Sequence, residues 1–122
     1  MAYTVRFGNN KYGAKKTVYN GRHYDSKLEA GHAQDLDLRM KAGEFTEITP
    51  QYRIKLYVYL PDGKKADLFT YVCDFRCTKP DGSYLLVESK GVETNVYRVK
   101  KRILDLVWLP DHPDYEYEVW KK

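Results

Sequence analysis

The chain has 122 residues, a formal net charge of +4 and twelve tyrosines. This length suits one compact domain, since domains usually run from ~50 to ~250 residues. No stretch approaches the ~18 to 20 apolar residues that a membrane span needs, so the composition argues against a membrane protein and favours a cytoplasmic one. The positive charge fits either a polyanionic partner or simple solubility.

The first segment, residues 1–24, combines basic residues with tyrosines and contains no acid. We interpret it as a basic aromatic arm that precedes a single domain over residues 25–122. Two interpretations of the arm remain open. It is either a solvated, partly mobile terminus or a surface that contacts phosphates and offers rings for base stacking. The basic residues concerned are Arg6, Lys11, Lys15, Lys16, Arg22 and His23.

Two helices are predicted from capping signals and apolar spacing. Ser26 and Glu29 match a capping box and Gly43 is a typical stop, so the first helix is expected from Ser26 to Lys41. The second is expected from about Thr94 to Trp108, ahead of Pro110. We expect its core-facing stripe to be Val96, Val99, Ile103 and Leu106.

The basic residues of the second helix are expected on its other side, where they would form a positive rail for DNA phosphates. A merely solvated charged face is the alternative. These residues are Arg98, Lys101 and Arg102, with Lys100 between the two sides.

Alternating apolar residues predict strands over 45–48, 51–60, 68–77, 84–90 and 115–120, with turns at Pro61-Asp62-Gly63 and Pro80-Asp81-Gly82. The order is helix, three or four antiparallel strands, helix, strand. It predicts a mixed α/β (α+β) domain. Cys73 and Cys77 are expected to share one buried strand face as free thiols, too far apart for a disulfide.

The second turn predicts where the charged strand residues meet. A three-residue loop with Gly82 in the left-handed conformation makes Lys79 face Ser83, which places Asp74 directly opposite Glu88. Lys90 then lies on the Glu88 side of its strand. Two carboxylates that face each other repel, and a bound Mg²⁺ or Mn²⁺ would offset this repulsion. Lys90 would then be placed to orient or help deprotonate a water.

A plainer interpretation also remains open, in which Asp74, Glu88, Lys90 and Arg76 form a surface ion-pair network of little energetic value. Val72 and Leu86 flank the charges on the same side. This favours a partly buried concavity over an open rim.

The run Val72-Cys-Asp74-Phe-Arg76, a turn, and then Leu86-Val-Glu88-Ser-Lys90-Gly91 resembles the PD-(D/E)XK nuclease superfamily, in which an acid precedes (D/E)-x-K on the next strand. Cys73 stands where the motif is named for a proline. The segments 10–16 and 24–30 look like the opening of a phage and prophage family related to Holliday-junction resolvases, and the similarity covers nearly the whole chain.

The resemblance implies a restriction-endonuclease-like core and a metal-dependent endonuclease that cuts DNA, with branched junctions as a candidate substrate, in the cytoplasm of a bacterial host. It also implies that Glu29, on the first helix, completes the metal site with Asp74 and Glu88. Helix capping alone is the other explanation of Glu29. A resolvase-like function would require a homodimer.

Two further function classes stay open: a non-catalytic nucleic-acid-binding module on a nuclease-like scaffold, and a structural protein. Tyr97 and Gln51 are weaker candidates for the centre. The three histidines, His23, His32 and His112, lack metal-ligand spacing and are expected to be surface or capping residues.

Overall fold

The computed structural model describes three short N-terminal strands and residues 26–121. The strands, β1 (Thr4–Phe7), β2 (Lys15–Tyr19) and β3 (Arg22–Tyr24), form an antiparallel sheet in the order β1-β2-β3. The arm therefore contains strand structure that composition did not predict. Lys11 lies outside the described residues, whereas Lys15, Lys16 and Arg22 belong to β2 and β3, which are described at the level of the backbone.

The first helix, α1 (Lys27–Lys41), begins and ends where its capping residues predict. Ser26 Oγ accepts a hydrogen bond of 3.0 Å from the backbone N–H of Glu29. Gly43 follows the helix with φ of 88°, a conformation that glycine adopts without steric cost.

A four-stranded sheet in the order β4-β5-β6-β7 forms the centre of the domain. Its strands are β4 (Glu47–Tyr59), β5 (Lys65–Thr78), β6 (Tyr84–Ser89) and β7 (Tyr115–Trp120). The first three pair antiparallel and β7 joins β6 in parallel, so the mixed α+β class is confirmed. The predicted break at Pro50 is wrong, because β4 is an edge strand, where a missing N–H is tolerated.

The turn between β5 and β6 sets their register as predicted. Gly82 has φ of 88°, and the Lys79 N–H donates to the Ser83 carbonyl at 2.8 Å. Phe75 consequently pairs with Val87, and the next residues outward are Asp74 and Glu88.

The second helix, α2 (Asn95–Ile103), continues as a π-helical turn over Leu104–Trp108 and a 3₁₀ turn over Leu109–Asp111. Its predicted orientation is wrong, because Val96, Val99 and Leu106 are 60–64% exposed. The buried side chain is Leu104, which follows Tyr97 at helical spacing. Periodicity had identified a stripe on the helix but not the side that meets the sheet.

The helices cover opposite faces of this sheet. On the α1 face, Ala33, Leu36, Phe75 and Val87 pack together, and on the α2 face, Ile54, Tyr71, Leu86 and Leu104 do so. Among residues 26–121, no helix is long and apolar enough to cross a membrane.

Strand β5 contributes to both faces, which the sequence did not predict. Cys73 packs on the α2 face and Cys77 on the α1 face, although both thiols are free and fully buried as expected. The β4–β5 pairs step from Pro50–Phe75 to Tyr52–Cys73, and Gln51 between them has φ of 53°. The interruption at Gln51, across from Asp74, thus coincides with the change of face.

Candidate active site

Asp74 and Glu88 meet where the β5–β6 ladder ends. Asp74 Oδ2 accepts a hydrogen bond of 2.7 Å from the backbone N–H of Ser89, which fixes its carboxylate beside β6. The two carboxyl groups lie close enough that the negative charge of Asp74 acts directly on Glu88. The structure therefore brings together the two acids that the loop register predicted.

Glu88 is unusual because it is an acid only 2% exposed. Burial, and after it the negative charge of Asp74, raises the pKa of Glu88 from 4.5 to about 8. Without a cation, Glu88 consequently keeps its proton near neutral pH.

Three tyrosine hydroxyls surround the Glu88 carboxyl on the α2 face. The hydroxyl of Tyr117 lies 2.9 Å from that of Tyr71 and 2.7 Å from that of Tyr97, and Tyr71 lies beside Glu88. Burial raises the pKa of Tyr71 and of Tyr117 well above the usual range, so both hydroxyls keep their protons. Three hydroxyls with one proton each can form a donor chain that ends on Glu88.

Lys90 and Glu88 line the same surface cavity of about 270 Å³. The Lys90 ammonium lies 4.3 Å from the ring centre of Tyr97, which also lines the cavity. The backbone N–H of Lys90 donates to the Trp120 carbonyl at 3.0 Å and so anchors the end of β6 to β7. A ligand that enters this cavity from solvent can therefore reach Glu88 and Lys90 together.

The surface ion-pair interpretation does not describe this group. Among residues 26–121, the ion pairs within 4.0 Å involve none of Asp74, Glu88 and Lys90. Arg76 points elsewhere: it lies 3.7 Å from Glu47 and stacks on the rings of Tyr52 and Tyr84.

Glu29 approaches the strands from the α1 face and does more than cap its helix. Its side chain is buried, and Oε1 accepts a hydrogen bond of 2.7 Å from Gln51 Nε2. Gln51 stands across from Asp74 in the β4–β5 register. Among residues 26–121, however, no three His, Cys, Asp or Glu side chains are grouped closely enough to form a complete metal cage.

The expectation that His32 is a surface or capping residue is wrong. The side chain is buried, and its Nδ1 is hydrogen-bonded to the hydroxyl of Ser89, the residue between Glu88 and Lys90. The available signal was its position three residues after Glu29, on the same side of α1. His112 instead contacts the Trp108 carbonyl at 2.8 Å, as a capping residue would.

Three basic residues of α2, Arg98, Lys101 and Arg102, line one surface depression together with acidic residues, whereas Lys100 faces a different cavity. Lys101 turns towards the sheet, where it pairs with Asp105 and lies 4.2 Å from the Tyr117 ring centre. Lys100 lines the cavity that contains Glu88. Arg98 and Arg102 are exposed, and Arg98 lies 3.8 Å from Glu93. Because Tyr97 and Leu104 anchor the inner side of α2, Lys101 falls on that side as well.

Comparison with known proteins gives one family. Residues 9–116 match the model of a family described as "Protein of unknown function (DUF1064)", and the chain belongs to this family. No curated protein and no solved structure matches the chain significantly.

Proposed function

We propose that this protein is a metal-dependent endonuclease that hydrolyses DNA phosphodiester bonds. The observation that carries the proposal is the buried Glu88 carboxyl, which lies beside Asp74 and lines a cavity together with Lys90. A buried carboxyl beside a second acid costs stability in its charged form unless a ligand compensates that charge, and perturbed acids in a cleft are a common mark of an active site.

The two carboxylates fit a hard divalent cation. Mg²⁺ is commonly held by one or two carboxylates, with water and substrate phosphate completing the octahedron, so a full protein cage is not required. Asp74 and Glu88 would hold Mg²⁺ or Mn²⁺. Glu29 would be the third ligand, because its carboxylate is hydrogen-bonded to Gln51, which stands across from Asp74. The cation, when bound, supplies charge neutralisation at the phosphate and lowers the pKa of water.

The residues of the chain perform the remaining steps. In hydrolysis a water oxygen forms a bond to phosphorus, the bond from phosphorus to the leaving sugar oxygen breaks, and that oxygen gains a proton. Lys90 lies where an ammonium can orient the water and offset charge that develops on the phosphate. The tyrosine chain through Tyr71 holds the Glu88 carboxyl in one orientation.

The choice of DNA rests on the resemblance of Asp74 and Glu88-x-Lys90 to PD-(D/E)XK nucleases and on the basic residues around the site. Lys100 at the cavity and Arg98 and Arg102 on the exposed side of α2 supply phosphate contacts. Branched DNA as the substrate, a homodimer as the active form and the bacterial cytoplasm as the compartment complete the proposal.

A plasmid-nicking assay tests the activity. The parent protein should convert supercoiled plasmid to nicked and linear forms with Mg²⁺ or Mn²⁺, and EDTA should stop it. Glu88→Gln keeps the shape of the side chain but removes a charged ligand, so it should reduce cleavage by at least ~100-fold.

Glu116→Gln is the matched control, because Glu116 is an exposed strand glutamate whose side chain lies 3.3 Å from Lys79, away from the Glu88 group. It should cut like the parent. A folded Glu88→Gln protein with parental activity would overturn the proposed function, as would a parent protein that binds DNA but leaves it uncut with either metal.

A further inference from the structure

The β4–β5 hairpin extends well beyond the rest of the sheet. β4 and β5 pair from Glu47–Thr78 to Tyr59–Lys65, whereas β6 pairs with β5 only along Phe75–Thr78. One side of this extension packs on the α2 face through the buried Ile54 and Leu56. Strand alternation places the intervening residues on the opposite side, which has no covering element among the described residues.

That uncovered side combines cations with aromatic rings. We call it the hairpin face and define it by Arg53, Lys55, Tyr57, Tyr59 and Lys65, all of which are exposed. The rings of Tyr57 and Tyr59 meet edge to face at 5.6 Å, and the Lys65 ammonium lies 4.2 Å from the Tyr57 ring centre. One acid, Asp67, stands opposite Tyr57, so three cations face one negative charge.

The hairpin face begins at the candidate active site. Val72 and Thr70, the cross-strand partners of Arg53 and Lys55, line the cavity that contains Glu88 and Lys90. From Arg53 to Tyr59 the strand advances roughly 20 Å, because each residue adds about 3.3 Å. A nucleic-acid strand bound along it would thus lead into the site.

We propose that the hairpin face binds a single-stranded segment of DNA next to the bond that is cut. The inference rests on the proposed function and narrows its substrate to DNA with unpaired bases. Tyr59 is 68% exposed and meets the Tyr57 ring only edge to face, so it presents a large aromatic surface to solvent. Unpaired bases offer faces on which such rings stack, whereas the bases of a duplex are already stacked, and the cations suit the phosphates between them.

Binding measured in EDTA isolates this inference from cleavage. Fluorescence anisotropy with a labelled oligo-dT and with a duplex of equal length should give tighter binding of oligo-dT by the parent protein. Tyr59→Ala should weaken oligo-dT binding roughly 5- to 100-fold, as expected for loss of one stacked base, and change duplex binding by less than about twofold.

Matched variants separate stacking from other effects. Tyr59→Phe keeps the ring and should bind oligo-dT as the parent does, while Tyr59→Leu keeps an apolar side chain and should bind as weakly as Tyr59→Ala. Leu60→Ala, at an exposed neighbour 45% accessible, should change nothing. Lys55→Ala should weaken the binding of both oligo-dT and the duplex. It should also lower the number of counterions released on binding by about one, which reduces the salt dependence.

Parental oligo-dT affinity in folded Tyr59→Ala would overturn the inference, as would equal losses for single strand and duplex or no DNA binding by the parent. These results are distinct from failure of the proposed function. If Tyr59→Ala loses only oligo-dT affinity while Glu88→Gln still cuts plasmid, the hairpin face stands and the catalytic assignment fails.

Discussion

The two faces of the central sheet differ in chemistry although both are buried. The α1 face is packed mainly with apolar side chains, among them Leu36, Phe75 and Val87. The α2 face contains Glu88 and the hydrogen-bonded hydroxyls of Tyr71, Tyr97 and Tyr117. Apart from Glu29 and His32, which contact the site strands through Gln51 and Ser89, the α1 face resembles an ordinary core, whereas the α2 face retains polar groups that a purely structural core does not need.

This difference indicates a division of labour within one small domain. The α1 face supplies apolar burial, the dominant favourable term in folding. On the α2 face, the fixed and poorly solvated position of the Glu88 carboxylate lowers the stability of the fold. Substitutions on the first face should mainly change the free energy of unfolding, and those on the second should mainly change metal binding and cleavage.

The largest effect on stability is expected from Phe75→Ala on the α1 face. Phe75 is fully buried, so loss of its ring should lower the free energy of unfolding by about 3 to 5 kcal/mol. Urea denaturation followed by circular dichroism measures it. A loss below about 1 kcal/mol would contradict the assignment of this face as the main apolar core.

Tyr71→Phe, on the α2 face, should reduce metal binding more than it reduces stability. Removal of one hydroxyl leaves Glu88 and Tyr117 short of a partner, which should cost about 1 to 3 kcal/mol of stability. Mn²⁺ affinity should fall roughly 10- to 100-fold, as for lost partners of metal ligands. Isothermal titration calorimetry gives the affinity directly.

Tyr52→Phe is the matched control for Tyr71→Phe. It removes a hydroxyl that lies 3.3 Å from that of Tyr115, outside the Glu88 group. Equal loss of Mn²⁺ affinity in the two variants would show that the hydroxyl chain has no special role.

The pH dependence of stability should reveal Glu88 in the metal-free protein. Since folding raises its pKa from 4.5 to about 8, the folded state holds more protons than the unfolded state between these values. Glu88 therefore contributes most to the free energy of unfolding at low pH, and this contribution is lost as the pH rises through this window. Glu88→Gln should flatten this part of a urea-midpoint profile recorded in EDTA, and a profile unchanged by the substitution would reject the raised pKa.

The smallest effect is expected from Glu29→Gln. The glutamine amide keeps an oxygen that can accept a hydrogen bond from Gln51. The backbone N–H at position 29 still donates to Ser26 Oγ at the start of the helix, so folding should be unaffected. Loss of the charge should lower cleavage a few-fold at low Mg²⁺, with recovery at high Mg²⁺. Parental cleavage at every Mg²⁺ concentration would leave Glu29 with a structural role alone.

The sequence predicted those features that depend on short-range geometry. The turn at Pro80, Asp81 and Gly82 fixed the register, and the register alone placed Asp74 opposite Glu88. Ser26 and Gly43 likewise set the bounds of α1, because caps act within one helical turn.

Features that depend on tertiary packing were not predictable in this way. Alternation assumed a regular β5, but Cys73 and Cys77 pack on different faces, and the change of face coincides with the left-handed conformation of Gln51 on β4. His32 meets Ser89 across 57 positions of sequence, a pairing that local spacing cannot indicate. The apolar stripe of α2 was identified, yet Tyr97 and Leu104 bind the sheet because the polar α2 face accepts hydroxyls as well as apolar groups.

The most direct test separates metal binding from catalysis with Lys90→Met and Glu88→Gln. Mn²⁺ titration and plasmid nicking are measured on the same folded preparations, with Lys41→Met at an exposed helix position as the control for loss of a cation. The account predicts that Lys90→Met binds Mn²⁺ within about threefold of the parent but does not cut, because an ammonium is not a ligand, while Glu88→Gln loses both. Parental cleavage by Lys90→Met, or parental Mn²⁺ affinity in Glu88→Gln, would contradict the assignment of this pair to the catalytic centre.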